Sequence, residues 1–408
     1  MRVLPLLGYL ALSSITLAAT PPKATLLDLA KKKFAPRKLT GAEEKLFTNT
    51  ERGEPASALT GDDKQDDPDS AGTWPDDRII HAECLAWLCT ESEASRRVTY
   101  RGIQIYGMRI DEKLDLEFAQ IPFPLKTWKC AFTDEIILRH THFAALYLQF
   151  THVKDVAADG VKIDGNVFLR DRFRAEGEVR LLGALIGGDL DCTAAQLSNP
   201  NGKALNGDGA KINGYVFLRD GFKAEGEVNL LGATIGENLE CSGAQLSNPS
   251  GIGLQASEIK IARSVFLTDG FEADGGVQLV GSEIKDYFDW YEILPAKNTR
   301  FDLRSAKVGT FHDEEKSWPV EGKLFLDGFT YDRIFEDSPL TAKSRIAWLH
   351  RQPRDKFLPQ PYEQLASVLR NMGHEREARR VMIEKIGIMR TSRHASRRNG
   401  GGITSSGG

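Results

Sequence analysis

Residues 228–246 read Val228-Asn229-Leu230-Leu231-Gly232-Ala233-Thr234-Ile235-Gly236-Glu237-Asn238-Leu239-Glu240-Cys241-Ser242-Gly243-Ala244-Gln245-Leu246, and they obey one rule twice. Small or branched apolar residues stand at relative positions 1, 3, 6 and 8: Val228, Leu230, Ala233 and Ile235, then Leu239, Cys241, Ala244 and Leu246 eleven residues on. Positions 1 and 6 are five apart, as are 3 and 8, so a unit is two five-residue sides plus a corner residue. Strand pleating turns positions 1 and 3 inward and position 2 outward. An amphipathic helix would need apolar residues at i, i+3, i+4 and i+7, a spacing that is not sustained. Two units then close a four-sided coil of roughly 22 to 26 residues, with coils stacked about 4.8 Å apart.

The rule extends in both directions. After a longer loop Leu254, Ala256, Ile259 and Ile261 follow it; upstream, so do Ile103, Ile105, Met108 and Ile110, and Leu125, Thr127, Cys130 and Phe132. Downstream it holds at Phe301, Leu303, Ala306 and Val308 and ends at Leu324, Leu326, Phe329 and Tyr331. A longer echo overlies it: Val167-Phe168-Leu169-Arg170-Asp171 returns 49 positions on as Val216-Phe217-Leu218-Arg219-Asp220, and again as Val265-Phe266-Leu267-Thr268-Asp269. Stacked units of fixed period mean a solenoid. The fold predicted for residues 103–331 is a mainly β, right-handed parallel β-helix of the pentapeptide-repeat kind, about ten coils and on the order of 50 Å long. Gly183, Gly232, Gly243 and Gly281 fall at corners, where positive φ is needed. Two loops, Ser198-Asn199-Pro200-Asn201-Gly202 and Ser247-Asn248-Pro249-Ser250-Gly251, interrupt equivalent places and are expected to bulge from one edge.

The ends follow different rules. Residues 1–22 carry Arg2, an apolar run and Ala18-Ala19, which reads as a signal peptide or N-terminal anchor, and hence an extracytoplasmic or membrane-associated protein. Residues 23–73 are an N-terminal segment passing into a linker with Asp62, Asp63, Asp66, Asp67 and Asp69, expected to be solvated. Trp74-Pro75-Asp76-Asp77 is expected to open a helix, so that residues 74–102 cap the first coil. Beyond Tyr331 the spacing becomes helical, predicting an α-helical hairpin cap of tetratricopeptide type over residues 338–390 and a disordered tail over 391–408. Across residues 340–400, Lys and Arg outnumber Asp and Glu fourteen to five, a charge that suits an anionic membrane surface.

Net charge is −4 and 41% of residues are hydrophobic, so nothing points to nucleic acid. The five cysteines are read as buried hydrophobes rather than disulfide partners. There is no phosphate-binding loop, dinucleotide fingerprint, His-Glu-x-x-His or Gly-x-Ser-x-Gly, so no catalytic residue and no cofactor is expected. His140, His142 and His152 are the best metal candidates, but His142 and His152 fall on opposite sides of a coil, so no metal site is expected. The outward position 2 is more suggestive. One side stacks Phe168, Asp191, Phe217, Glu240, Phe266 and Asp289, a candidate partner-binding face of aromatics interleaved with carboxylates. The opposite side stacks Arg180, Asn206, Asn229, Gln255 and Gln278, a polar ladder that satisfies itself.

Trp74-x-x-Asp77-Arg78, Ala86-Trp87-Leu88-Cys89, Arg101-Gly102-Ile103, the Leu-Gly-Ala-x-Ile-Gly units, and Gln360-Pro361-Tyr362-Glu363-Gln364-Leu365 through Gly373-His374-Glu375 together resemble bacterial proteins often labelled membrane-associated oxidoreductases. The resemblance covers residues 39–385 and implies a capped β-helix that works at a membrane. Members of that group commonly continue past the helical cap into membrane spans, whereas this chain passes into a Gly/Ser stretch. The leading expectation is a non-catalytic β-helical scaffold at the cell envelope, with a protein or another envelope component as partner. The alternatives are a redox enzyme, as the family label implies, and a carbohydrate-binding or carbohydrate-active β-helix.

Overall fold

The computed structural model describes residues 24–293, 299–355 and 357–400, with side chains through residue 390. Residues 1–22, read as a signal peptide or anchor, lie outside the described residues. The middle of the chain is a parallel β-solenoid of about ten coils with helices at both ends. Successive coils pair in parallel, for example Leu190↔Val216, Val216↔Leu239 and Leu239↔Val265 on the first side. On this side the step between ladder partners runs from 21 residues (Leu125↔Leu146) to 26 (Leu190↔Val216). The echo at 49 is therefore two coils, Val167 to Leu190 and Leu190 to Val216.

Position 1 of the first side forms a continuous inward stack of Leu146, Val167, Leu190, Val216, Leu239, Val265, Phe288 and Phe311, none more than 3% exposed. Burial of each such side chain contributes about 1.5–3 kcal/mol before the entropy of ordering is counted. Towards the C-terminal end the stack turns aromatic: Trp290 lies 4.4 Å from Phe301, and Phe311 contacts Phe329, Tyr331 and Trp348. The four corner glycines have φ of +61°, +62°, +69° and +67°, as their positions require. The two Asn-Pro loops stack on the same edge. Ser198 pairs with Glu225, Glu225 with Ser247, and Ser247 with Asp274, making a small wing of parallel strands.

The N-terminal end differs from expectation in two ways. The helix does not begin at Trp74: after a single 3-10 turn, Asp76–Arg78, Ile79–His81 runs as a strand beside Arg109–Asp111, and the helix is only Ala82–Thr90. The open backbone edge of coil 1 explains this, since it offers unpaired groups to the β-branched pair Ile79-Ile80. Ala56–Ser57 covers the neighbouring side in the same way, pairing with Ile105 and Tyr106. The acidic stretch keeps most of its carboxylates in solvent, as expected, but it is pinned to the rod rather than a free linker. Asp66 is buried and accepts from Thr60 N and Gly61 N, while Asp63 binds Lys129 at 2.6 Å and Asp69 binds Arg174 at 3.0 Å. Arg78 holds the stretch in place: its guanidinium lies 3.8 Å from the Trp74 ring, 3.3 Å from Asp66, and donates to Gly107 O. Burial works against the Asp66 carboxylate, but hydrogen bonds from Thr60 and Gly61 and the Arg78 charge bring its pKa below the usual range.

At the other end the helices Ala342–Leu349, Gln360–Asn371 and Glu375–Gly400 close the rod. The last of them continues to Gly400, ten residues into the stretch read as disordered tail; residues 391–400 contain no proline to stop it. Gln360 donates to Phe329 O and accepts from Gly328 N, and Gln364 donates to Tyr331 O, so two amides satisfy the open edge of the last coil. Beneath them Arg345 and Asp313, both fully buried, form a two-pronged ion pair at 2.7 and 2.9 Å.

Candidate interaction face

The six residues singled out by position form one unbroken ladder. Phe168 pairs with Asp191, Asp191 with Phe217, Phe217 with Glu240, Glu240 with Phe266, and Phe266 with Asp289. The register extends to Tyr147 and Lys126 before Phe168 and to His312 after Asp289. The rings are not freely exposed: Phe168, Phe217 and Phe266 are half-buried, and Asp191 and Asp289 are buried. Two arginines account for much of this. The Arg170 guanidinium lies 4.4 Å from the Phe168 ring and donates to Asp191 at 2.9 Å; Arg219 lies 4.3 Å from Phe217 and donates to Glu240 at 2.9 Å. Tyr215 stacks on Phe217 at 5.2 Å, and Tyr147 meets Phe168 edge-on at 4.9 Å.

The corner after each rung sets this geometry. Asp171, Asp220 and Asp269 all adopt left-handed φ, +56°, +50° and +53°, a conformation that aspartate tolerates better than most residues. The sharp corner turns the residue before it back across the ring. The acidic stretch docks beside this face, with ion pairs to Lys129 and Arg174 and a contact from Asp69 to His152. On the opposite side the polar ladder is partly self-satisfied: Asn229 donates to Asn206 and Gln255 to Gln278.

The histidines separate as their spacing implied. His142 pairs with Asp164 at 2.9 Å on one side of the coil, and His152 lies on another. Sequence position did not foresee that the acidic stretch would reach His152, placing ligand atoms of Asp67, Asp69 and His152 within 4.8 Å of one another. Burial lowers the His152 pKa, which favours a neutral imidazole there, but the Asp69 carboxylate already holds Arg174. The cysteines are all free and buried. Cys84 departs from the purely hydrophobic reading, since its Sγ donates to Glu43 at 3.3 Å beside Arg37. Burial pushes the Cys130 thiol up to about 11 and the Cys89 thiol up to about 12, so both stay protonated and inert at neutral pH. A cavity of about 700 Å³ lies away from the ladder, between the C-terminal helices, lined by His350, Gln352, Tyr362 and Glu384.

Compared with family models, curated proteins and solved structures, the chain matches none. Among the described residues no helix is long and apolar enough to cross a membrane.

Proposed function

We propose that the protein is a non-catalytic scaffold of the cell envelope, a capped β-helical rod that offers its aromatic and acidic face to a partner protein. The observation that carries this reading is the ladder from Phe168 to Asp289, in which ring and carboxylate alternate coil by coil, so that each recurs every two coils. Such an array presents the same chemistry repeatedly along a line, which suits an extended partner. Catalysis needs an acid, base and binding groups converging on one point. Aromatic residues are enriched in interface cores, and polar and charged residues stand at the rim around them. The envelope location rests on the apolar run of residues 3–19 and on the resemblance to membrane-associated bacterial proteins.

The test is affinity capture from detergent-solubilised cells with the full chain and with the Phe217→Ala/Phe266→Ala variant. A partner held by the unaltered protein and lost by the variant is expected. Retention of the same partner by the variant removes the ladder from the binding site. Absorbance of the purified protein between roughly 350 and 500 nm decides the alternative, since a bound flavin or haem belongs to a redox enzyme and overturns the scaffold.

A further inference from the structure

The three copies of the Val-Phe-Leu-x-Asp corner are chemically unequal. In the first, the Arg170 guanidinium rests 4.4 Å from the Phe168 ring centre, donates to Asp191 at 2.9 Å and has Nε 3.3 Å from Asp171. In the second, Arg219 repeats this with Phe217 at 4.3 Å, Glu240 at 2.9 Å and Asp220 at 3.4 Å. One guanidinium thus rests on a ring, donates to the carboxylate one coil on, and has the corner carboxylate within ion-pair distance of its Nε without a hydrogen bond to it. The third copy retains the ring, Phe266, the corner acid, Asp269, and the acid one coil on, Asp289. Between them stands Thr268 instead of arginine.

Among the described residues no lysine or arginine takes the place of the missing guanidinium on the Phe266 ring, and the nearest ionisable nitrogen at Asp289 is that of His312. The Thr268 hydroxyl turns away to Asp269 Oδ2 at 2.8 Å and to Ser242 Oγ at 2.8 Å. Among the described residues Phe266 has neither a cation nor a second ring against it. Asp289 is 8% exposed, and its Oδ1 has no hydrogen-bond partner. His312, one coil further on, brings Nδ1 to 3.4 Å from that oxygen without a hydrogen bond, and its own ring is held 4.4 Å from both Tyr291 and Phe335. Burial first, then the charges of Asp289, Asp269 and Glu292, raise the Tyr291 hydroxyl pKa.

We infer that Phe266, Asp269 and Asp289 form a receptor for the guanidinium of an arginine side chain presented by a partner polypeptide. This rests on the interaction reading above and names the chemistry of its ligand. The chain itself supplies the precedent, because Arg170 and Arg219 fill the two sister sites. Arginine suits the site and lysine does not: the guanidinium is planar, stacks on a ring and donates along two edges at once, whereas an ammonium is a hydrated point charge. A buried carboxylate oxygen without a donor is costly, so the ligand that satisfies it gains more than it would on an open surface.

The test uses the full chain with 4-fluorophenylalanine at position 266, read by fluorine resonance. The probes are acetyl-Gly-Arg-Gly-amide and its lysine and citrulline counterparts. The arginine peptide is expected to shift the resonance saturably and to bind roughly tenfold or more tightly than either counterpart. Asp289→Asn is expected to weaken it by a similar factor. Thr268→Arg is expected to move the resonance with no peptide present and to abolish the response, because the site then fills itself as its two sisters do. Equal responses to arginine and citrulline, or an unchanged response in Asp289→Asn, overturn the receptor. An equal response to lysine overturns the guanidinium assignment. Because Thr268 is buried, the melting temperature of Thr268→Arg is checked, and Asp289→Asn decides the question if that variant fails to fold. The same variants in the capture assay separate the two readings. Partner capture that survives in a protein blind to the arginine peptide removes the receptor and leaves the scaffold standing.

Discussion

Replacing Arg345 with methionine is the most demanding test of how the rod is closed. Arg345 and Asp313 have no exposed side-chain surface, and the guanidinium donates to both carboxylate oxygens, at 2.9 and 2.7 Å. Trp318 Nε1 adds a third bond to the same carboxylate at 2.7 Å. Methionine preserves most of the packing against Phe311 and Trp348, whose ring centres lie 5.8 and 5.6 Å from the guanidinium carbon. What changes is that Asp313 is left buried with one donor. Breaking a buried pair from one side costs about 3–5 kcal/mol. The matched double variant, Arg345→Met with Asp313→Leu, removes both charges and is expected within about 2 kcal/mol of the original, the residue being mainly the Trp318 N–H left without an acceptor. Coils touch only their neighbours, so the loss should stay local and unfold the last coil and the three C-terminal helices before the rod. Native-state hydrogen exchange in urea, followed on peptides from residues 307–313 and 342–349, reads this directly. If those peptides in Arg345→Met open within about 1 kcal/mol of the original, or if the double variant is as weak as the single one, the pair does not hold the cap.

Two further predictions concern the N-terminal cap and the wing. Burial opposes the charge on Glu43, but Arg37, the Thr40 amide and His81 hold its pKa down to about 2 from an ordinary 4.5. A depressed carboxylate stabilises the folded state above its unfolded value and loses that contribution as pH falls from about 4.5 through 2, here about 3 kcal/mol. Unfolding of the cap in urea between pH 6 and 2.5 should therefore weaken below pH 4.5 in the original protein and much less in Glu43→Gln; parallel profiles would refute it. Gly226 has φ +114°, and a Cβ there would run into the Asn199 carbonyl oxygen of the stacked loop, so Gly226→Ala should cost roughly 3 kcal/mol or more. Gly183, φ +61° with open space around it, should tolerate alanine for about 1–2 kcal/mol. Urea midpoints compare the two, and equal losses would mean that the wing yields.

What could be read from the sequence was what every coil must repeat. Positions 1, 3, 6 and 8 point into a shared interior, so Val228, Leu230, Ala233 and Ile235 are fully buried and their pattern is constrained in each unit. The same alternation made the outward ladder legible, because position 2 can face nowhere else. The closing pieces occur once and carry no period. Ala56–Ser57 is too short to show any alternation, and Ile79–His81 took the helical signals of Trp74-Pro75-Asp76-Asp77 for its own. The acidic stretch looked like a free linker because its partners are remote, Lys129 lying 66 residues from Asp63 and Arg174 lying 105 from Asp69. A charge run is free only when nothing opposite reaches it.

The ladder residues themselves were found, but their chemistry lay in a neighbour of each. Phe168 and Phe217 read as exposed when position 2 alone is considered; they are half-covered because Arg170 and Arg219, two residues on, reach across them to an acid 21 residues further along. That bond is invisible without the register, since it joins residues distant in sequence and adjacent in the stack. Once the register is known, the loss of arginine at Thr268 acquires meaning. Both carboxylates that served the guanidinium in the other two copies remain, and an acid that has lost its cation gains nothing from burial unless another cation arrives. In two of the three copies the guanidinium is internal and ties neighbouring coils together; in the third, on the reading proposed above, the same acids are left to a partner.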